Sequence, residues 1–246
     1  NKGDIFNQGE LKNSYIMANQ GQIINSGKIT NSGLFGGDGH VSGTGTYTQS
    51  GGATVVNGTL AQSFIDIQGG ALKGSGMLQG TTIIGNGASL RPGNSPGLLT
   101  VNGDLSLETG STLEIEIGGL LAGSTYDRLD VTGEAALGGT LNVSLWDWTD
   151  DGVDDPFMPK EGDFFDILFA ETLSGVFDDL LFPLLDNSLT WDIDYLTDLF
   201  GSTDVVRLSV TGAADPVPEP SSILLLGIGL LGLAGVGRKK QGTWGD

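Results

Sequence analysis

Polar and apolar positions alternate along the front of this chain with a strict period of six. Asparagine stands at Asn1, Asn7, Asn13, Asn19, Asn25 and Asn31, and four residues after each comes Ile5, Leu11, Met17, Ile23, Ile29 or Phe35. Glycine follows most of the asparagines by two residues, at Gly3, Gly9, Gly21, Gly27 and Gly33, with Tyr15 as the exception. The unit is Asn-x-Gly-x-apolar-x. Asn and Gly accept the backbone of a tight turn, and one apolar side chain per short strand points inward. A six-residue period does not suit an amphipathic helix, whose apolar face recurs every three and four residues. No hexad buries its apolar residue alone, but stacked hexads do, which predicts a parallel β-solenoid. Asparagines at fixed period are also expected to stack as amide ladders.

From Gly36 the hexad loosens into short strands closed by Gly-Gly, Asn-Gly or Gly-x-Gly turns, such as Val56-Asn57-Gly58-Thr59-Leu60 and Ile83-Ile84-Gly85-Asn86-Gly87. Pro92-Gly93-Asn94-Ser95-Pro96-Gly97 follows, then strand-like runs at 99–107, 112–117 and 136–145. Residues 1–145 are therefore assigned to solenoid repeats. Over 146–212 glycine thins while aromatic and acidic residues gather, and 164–169, 189–193 and 205–210 read as strands. A solenoid leaves open backbone edges on its last coil, so this segment is expected to be an acidic, aromatic-rich β cap, with a separate small β domain as the alternative.

The end of the chain has a different grammar. Val217-Pro218-Glu219-Pro220 precedes an apolar run from Ile223 to Val236, and Arg238-Lys239-Lys240 closes it. The prolines interrupt the upstream fold, the run has no polar face, and the cations favour the cytoplasmic side of a bilayer. Ile223 to Gly237 as a helix reaches roughly 22 Å, short of the roughly 30 Å hydrocarbon core. The expected organisation is a linker over 213–222 and a short transmembrane helix with its basic stop over 223–240. A buried core helix is the alternative. The expected fold is thus all-β: a parallel β-solenoid, or β-helix, with a C-terminal β cap and one short C-terminal transmembrane helix.

Composition narrows the function. The formal charge of −19 opposes nucleic acid and anionic lipid surfaces as partners. The chain has no cysteine and one histidine, which excludes disulfides and zinc sites built from several His or Cys. It begins inside a repeat, without initiator Met or signal peptide, and is expected to be a fragment or processed form.

The C-terminal order of Pro218, Glu219, Pro220, apolar run and Arg238 to Lys240 resembles the PEP-CTERM sorting signal of exported bacterial proteins. That resemblance implies an exosortase as partner, cleavage near Pro-Glu-Pro, and a cell envelope or surface location with a membrane tether before processing. A second resemblance is to the passenger-like β-helix repeats of autotransporters and of many PEP-CTERM proteins. Pro92 to Gly97, Ser111 to Leu113, Tyr126-Asp127 and Gly138 to Leu141 carry it. It implies architecture rather than chemistry, and a structural or adhesive role at the surface or within an extracellular polysaccharide matrix.

Candidate chemistry is sparse. Asp147, Thr149 and Asp151 alternate ahead of Gly152, and Asp154 or Asp155 is placed to close a calcium loop. The alternative is a solvated acidic loop, because Thr149 replaces a stronger ligand and Met158 stands at the twelfth position, where glutamate would be. His40 lies in a glycine-rich turn with no nucleophile elbow around it. Glu114 and Glu116 share one face of a strand, and paired carboxylates are what a β-helix polysaccharide hydrolase or lyase would need. No catalytic residue is assigned, and the expectation is a protein without enzymatic activity. The alternatives are that hydrolase or lyase, and an uncleaved tail-anchored calcium-dependent adhesin.

Overall fold

The computed structural model describes residues 2–147, 156–186, 188–199 and 201–212. Within them the chain is all-β, and no helix is long and apolar enough to cross a membrane. The sorting residues Val217, Pro218, Glu219 and Pro220, the basic Arg238, Lys239 and Lys240, and the expected transmembrane helix lie outside the described residues. Residues 1–212 and 213–246 form two units.

Three hexads make one coil. The first holds β1 (Ile5–Asn7), β2 (Glu10–Asn13) and β3 (Ile16–Ala18). The second holds β4 (Gln22–Asn25), β5 (Lys28–Asn31) and β6 (Leu34–Gly37), and the third β7 (His40–Ser42), β8 (Thr46–Gln49) and β9 (Ala53–Val56). Next, β10 (Thr59–Ile67) covers two faces in one strand, with a register shift between Ala61 and Phe64, and β11 (Gly70–Gly74) covers the third. The following coil repeats this with β12 (Met77–Ile84) and β13 (Ala88–Pro92). Then come β14 (Leu98–Asn102), β15 (Leu105–Leu107) and β16 (Thr112–Ile117), followed by β17 (Arg128–Val131), β18 (Glu134–Leu137) and β19 (Thr140–Leu145). The last parallel coil has β20 (Phe164–Ala170), β21 (Thr172–Gly175) and β22 (Asp179–Leu181), and β23 (Leu189–Leu196) and β24 (Asp204–Gly212) end the described fold.

Strands on each face pair in parallel with the equivalent strand of the next coil, as a β-solenoid requires. Ile5 lies beside Ile23 and Ile23 beside Val41 on the first face. Leu11, Ile29 and Tyr47 align on the second, and Met17, Phe35 and Thr54 on the third. The third face is an 8-stranded sheet, and the other two join into a 16-stranded one. Ile23, Ile29, Leu60, Ile65, Leu72, Leu90 and Leu113 fill the interior and are essentially inaccessible. The apolar residue of every hexad therefore faces the axis, because a β-strand sends alternate side chains to opposite faces.

The asparagines turn the corners. Gly27 N–H donates to Asn25 Oδ1 at 3.2 Å and Gly33 N–H to Asn31 Oδ1 at 3.1 Å, which closes the Asn-x-Gly turn. The same side chains stack along the axis: Asn7 Nδ2 donates to Asn25 Oδ1 at 2.7 Å, and Asn13 Nδ2 to Asn31 Oδ1 at 2.8 Å. The ladder outlives the hexad, because Asn25 donates on to Gln62 Oε1 at 2.6 Å and Asn31 to Gln49 Oε1 at 3.4 Å. Glycine follows because the coils nearly touch here. A Cβ at Gly27 would lie 2.1 Å from Gly9 O, and one at Gly33 would lie 2.2 Å from Tyr15 O. Tyr15 escapes this rule on the first coil, where its side chain is 86% exposed.

At the far end the parallel pairing runs on through β20, β21 and β22. Only then does the chain reverse: β24 pairs antiparallel with β20, and β23 antiparallel with β24. Phe165 packs edge-on against Tyr126 at 5.3 Å and also meets Phe157 and Trp191. Arg207 clamps Asp166 through two bonds of 2.6 and 2.9 Å and covers the Phe164 ring. Edge-on aromatic packing and a two-pronged arginine-carboxylate pair both fix orientation as well as contact.

Asn31 is fully buried and holds both a turn and a ladder, so Asn31→Ala should cost about 2 kcal/mol or more. Tyr15→Ala should change stability by less than about 0.5 kcal/mol. Urea unfolding of the two variants tests this, and an Asn31→Ala midpoint equal to that of the parent would refute the ladder's role.

A candidate functional site at the Pro92 to Gly97 loop

After Pro92 the coil no longer turns through a hexad corner. Pro92 ends β13, and the chain leaves the third face as a loop before returning at Leu98. Gly93 pairs with Gly74 of the preceding coil through bonds of 3.2 and 2.9 Å. Gly93 and Gly97 then approach so closely that a Cβ on Gly93 would lie 2.3 Å from Gly97 N. Gly93 also has a φ of 87°. Both Pro-Gly steps of the motif thus serve one narrow loop neck.

Asp127 holds that neck. It is 2% exposed; its Oδ1 accepts from Gly97 N–H at 2.7 Å and its Oδ2 from Glu116 N–H at 2.9 Å. One carboxylate therefore ties the loop of one coil to a strand of the next. Its neighbour Tyr126 points into the core against Phe165, and burial pushes its hydroxyl pKa up. The other two parts of the motif meet one corner away. Ser111 O accepts from Thr140 N–H at 2.8 Å, a Cβ on Gly139 would lie 2.4 Å from that oxygen, and Leu113 aligns with Leu141 in the core. The residues that carry the passenger-like resemblance are thus brought together in space, as two coil junctions.

Beside the loop lies a cavity of about 170 Å³, lined by Lys73, Arg91, Asn94, Glu114, Glu116 and Asp127 among others. Lys73 and Arg91 are register partners, and Arg91 Nη2 meets Glu114 Oε1 at 2.8 Å. The sequence placed Glu114 and Glu116 on one face, and β16 alternates accordingly. It did not reveal the cations opposite them. The signal was present: Leu72-Lys73, Leu90-Arg91 and Leu113-Glu114 repeat one inward-then-outward step, and the coil register aligns them. Chemically, Arg91 occupies Glu114, and backbone N–H groups occupy both oxygens of Asp127. Glu114 and Glu116 project side by side from one strand, whereas glycoside hydrolysis needs carboxylates flanking the scissile bond.

The other sequence candidates are dispersed. His40 is exposed at the start of β7. Asp147 is half-buried just after β19, while its expected calcium partners Thr149, Asp151, Asp154 and Asp155 lie outside the described residues. Among the described residues no three His, Cys, Asp or Glu are grouped to hold a metal ion.

Burial outweighs the two N–H donors at Asp127 and lifts its pKa from the ordinary 3.8 to about 7. Below about pH 4 the residue is neutral in both folded and unfolded chains, and this contribution to stability is complete. Between about 4 and 7 the folded chain keeps a proton that the unfolded chain has lost, so stability falls as pH rises. The parent should lose on the order of 3 kcal/mol more across this window than Asp127→Asn, which cannot ionise. Urea midpoints from pH 4 to 8 measure the difference, and parallel pH profiles for the two proteins would refute it.

Comparison with known proteins adds two findings. A 64-residue stretch is 38% identical to the adhesin BmaC autotransporter of Brucella suis biovar 1 (strain 1330). The match covers 25% of this chain and 2% of that protein, so the chain spans a small part of its relative's length. Residues 216–239 match the family model described as the PEP-CTERM protein-sorting motif. After its β-rich segment in the sequence, the chain therefore carries a PEP-CTERM protein-sorting motif, the sorting signal that its Pro-Glu-Pro, apolar and basic segments resemble.

Proposed function

We propose that this is an exported bacterial surface or extracellular-matrix protein with a structural or adhesive role, sorted by an exosortase through its C-terminal signal. The match to the sorting motif at 216–239 carries the proposal. Pro218, Glu219 and Pro220 mark the processing region, residues 223–236 form the membrane tether, and Arg238, Lys239 and Lys240 hold its cytoplasmic side. The similarity to an autotransporter adhesin and the stacked parallel coils support a surface-presented scaffold rather than a catalyst. Hydrogen-bonded coils stacked on an apolar core suit an exposed location, because a chain without cysteine is held by stacking and not by disulfides.

One observation favours a second reading, a β-helix polysaccharide hydrolase or lyase: a cavity does adjoin Glu114 and Glu116. Loss of polysaccharide cleavage in Glu116→Gln, from a parent that cleaves, would establish it.

Sorting is tested by the intact mass of the protein recovered from its native envelope, with and without a functional exosortase. The expected product lacks everything beyond roughly Pro220, only when the exosortase is present. A chain that still carries the residues beyond Pro220, basic stop included, in the membrane fraction of exosortase-positive cells would overturn the proposal.

A further inference from the structure

A second depression, of about 460 Å³, lies at the corner where the second face ends. Three successive coils build it. Its floor is Phe64 of β10 and Ile83 of β12, both half-buried and outward-facing, since Ile65, Ile67 and Ile84 take the inward positions of these strands. Asp66 is the register partner of Ile83 and rises beside it. Gln68 from the same coil, Asn86 from the next and Glu108 from the third complete the rim, all three exposed. Gln68 Nε2 donates to Asp66 Oδ2 at 2.6 Å, which orients the amide. Gly85, itself buried, lines the middle between them and adds no side chain to it.

An apolar floor ringed by planar carboxylates and amides complements a sugar ring. The C–H face of a pyranose packs on aromatic and aliphatic carbon, while its hydroxyls donate to carboxylates and exchange both roles with amides. Among the described residues the rim has two carboxylates and no cation, on a chain of net charge −19, so uronate, sulfated and phosphorylated sugars are disfavoured. Coils stack at about 4.8 Å, close to the length of one sugar residue, so neighbouring coils address neighbouring residues of a chain laid along the axis.

We propose that this depression binds a neutral, linear glycan, with Phe64 as the stacking platform and Asp66, Asn86 and Glu108 as the hydroxyl-binding rim. The site supplies a ligand for the proposed surface role and rests on that role only for where the ligand is met. The test is titration calorimetry of the full chain with hexasaccharides of β-1,4-, β-1,3- and α-1,4-linked glucose and of β-1,4-linked mannose. At least one should bind saturably. Phe64→Ala should weaken it by about tenfold or more, and Glu108→Gln severalfold, whereas Phe64→Trp and the distant Arg91→Ala should retain it. Glu108 is exposed and its backbone bonds are independent of its side chain, so Glu108→Gln keeps the test valid if Phe64→Ala fails to fold. Binding of none of the probes, binding indifferent to both Phe64→Ala and Glu108→Gln, or binding abolished by Arg91→Ala would overturn the assignment. So would calcium binding lost in Glu108→Gln without any sugar binding. Exosortase-dependent processing is read by mass and stands or falls separately.

Discussion

The parallel register between coils is the constraint on which everything else depends. Each of the first coils must bring three corners, three strands and three inward side chains back into line with its neighbour after eighteen residues, as the bond from Asn7 to Asn25 shows. The asparagine ladders enforce this, because an amide that closes its own turn can reach the next amide only when the two are in step. The glycines enforce it from the other side, since any Cβ at Gly27 or Gly33 would strike the backbone of the coil before. Burial of Ile23, Ile29 and Phe35 then supplies the driving force that the corner geometry merely directs.

Regularity fades along the chain without the register failing. Gln49, Thr54 and Gln62 take over buried polar positions after the last asparagine of the repeat, and hydrogen bonds still link them. Later coils lengthen, so that Leu98 pairs with Arg128 instead of a residue eighteen further on. Extra residues leave at the corners as loops, and a carboxylate replaces the amide as the fastening. Asp127 at the Pro92 to Gly97 loop is the clearest case. The antiparallel β23 and β24 change the character of the first face at the end, where β20 would otherwise present its full backbone edge.

Environment separates carboxylates that look alike in the sequence. Asp127 is buried, fastened and hard to ionise; Glu114 is paired with Arg91; Asp166 is held by both prongs of Arg207. Glu108 and Asp66 instead face solvent or a half-open surface beside half-buried carbon. The first group is committed to structure by its partners, and the second keeps oxygen atoms available to an outside molecule. Ligand chemistry on this fold is therefore sought on the outward side chains of successive coils, where the register lines them up.

The sequence by itself determined the repeat, the all-β class and the parallel stacking, because a period of six fixes which residue turns and which points inward. It also carried the sorting signal, which is a linear message of Pro-Glu-Pro, apolar run and basic stop. It marked Pro92 to Gly97, Ser111 to Leu113, Tyr126-Asp127 and Gly138 to Leu141 as related, but not how. Only the tertiary structure decided that Asp127 fastens the loop neck, that Arg91 faces Glu114, and that Phe64, Asn86 and Glu108 share one depression. Those contacts join residues on different coils whose spacing varies with each loop, so no fixed period announces them. Local hydrogen bonding repeats within the hexad and can be read along the chain; contacts between coils depend on where each loop returns, which the folded register alone sets.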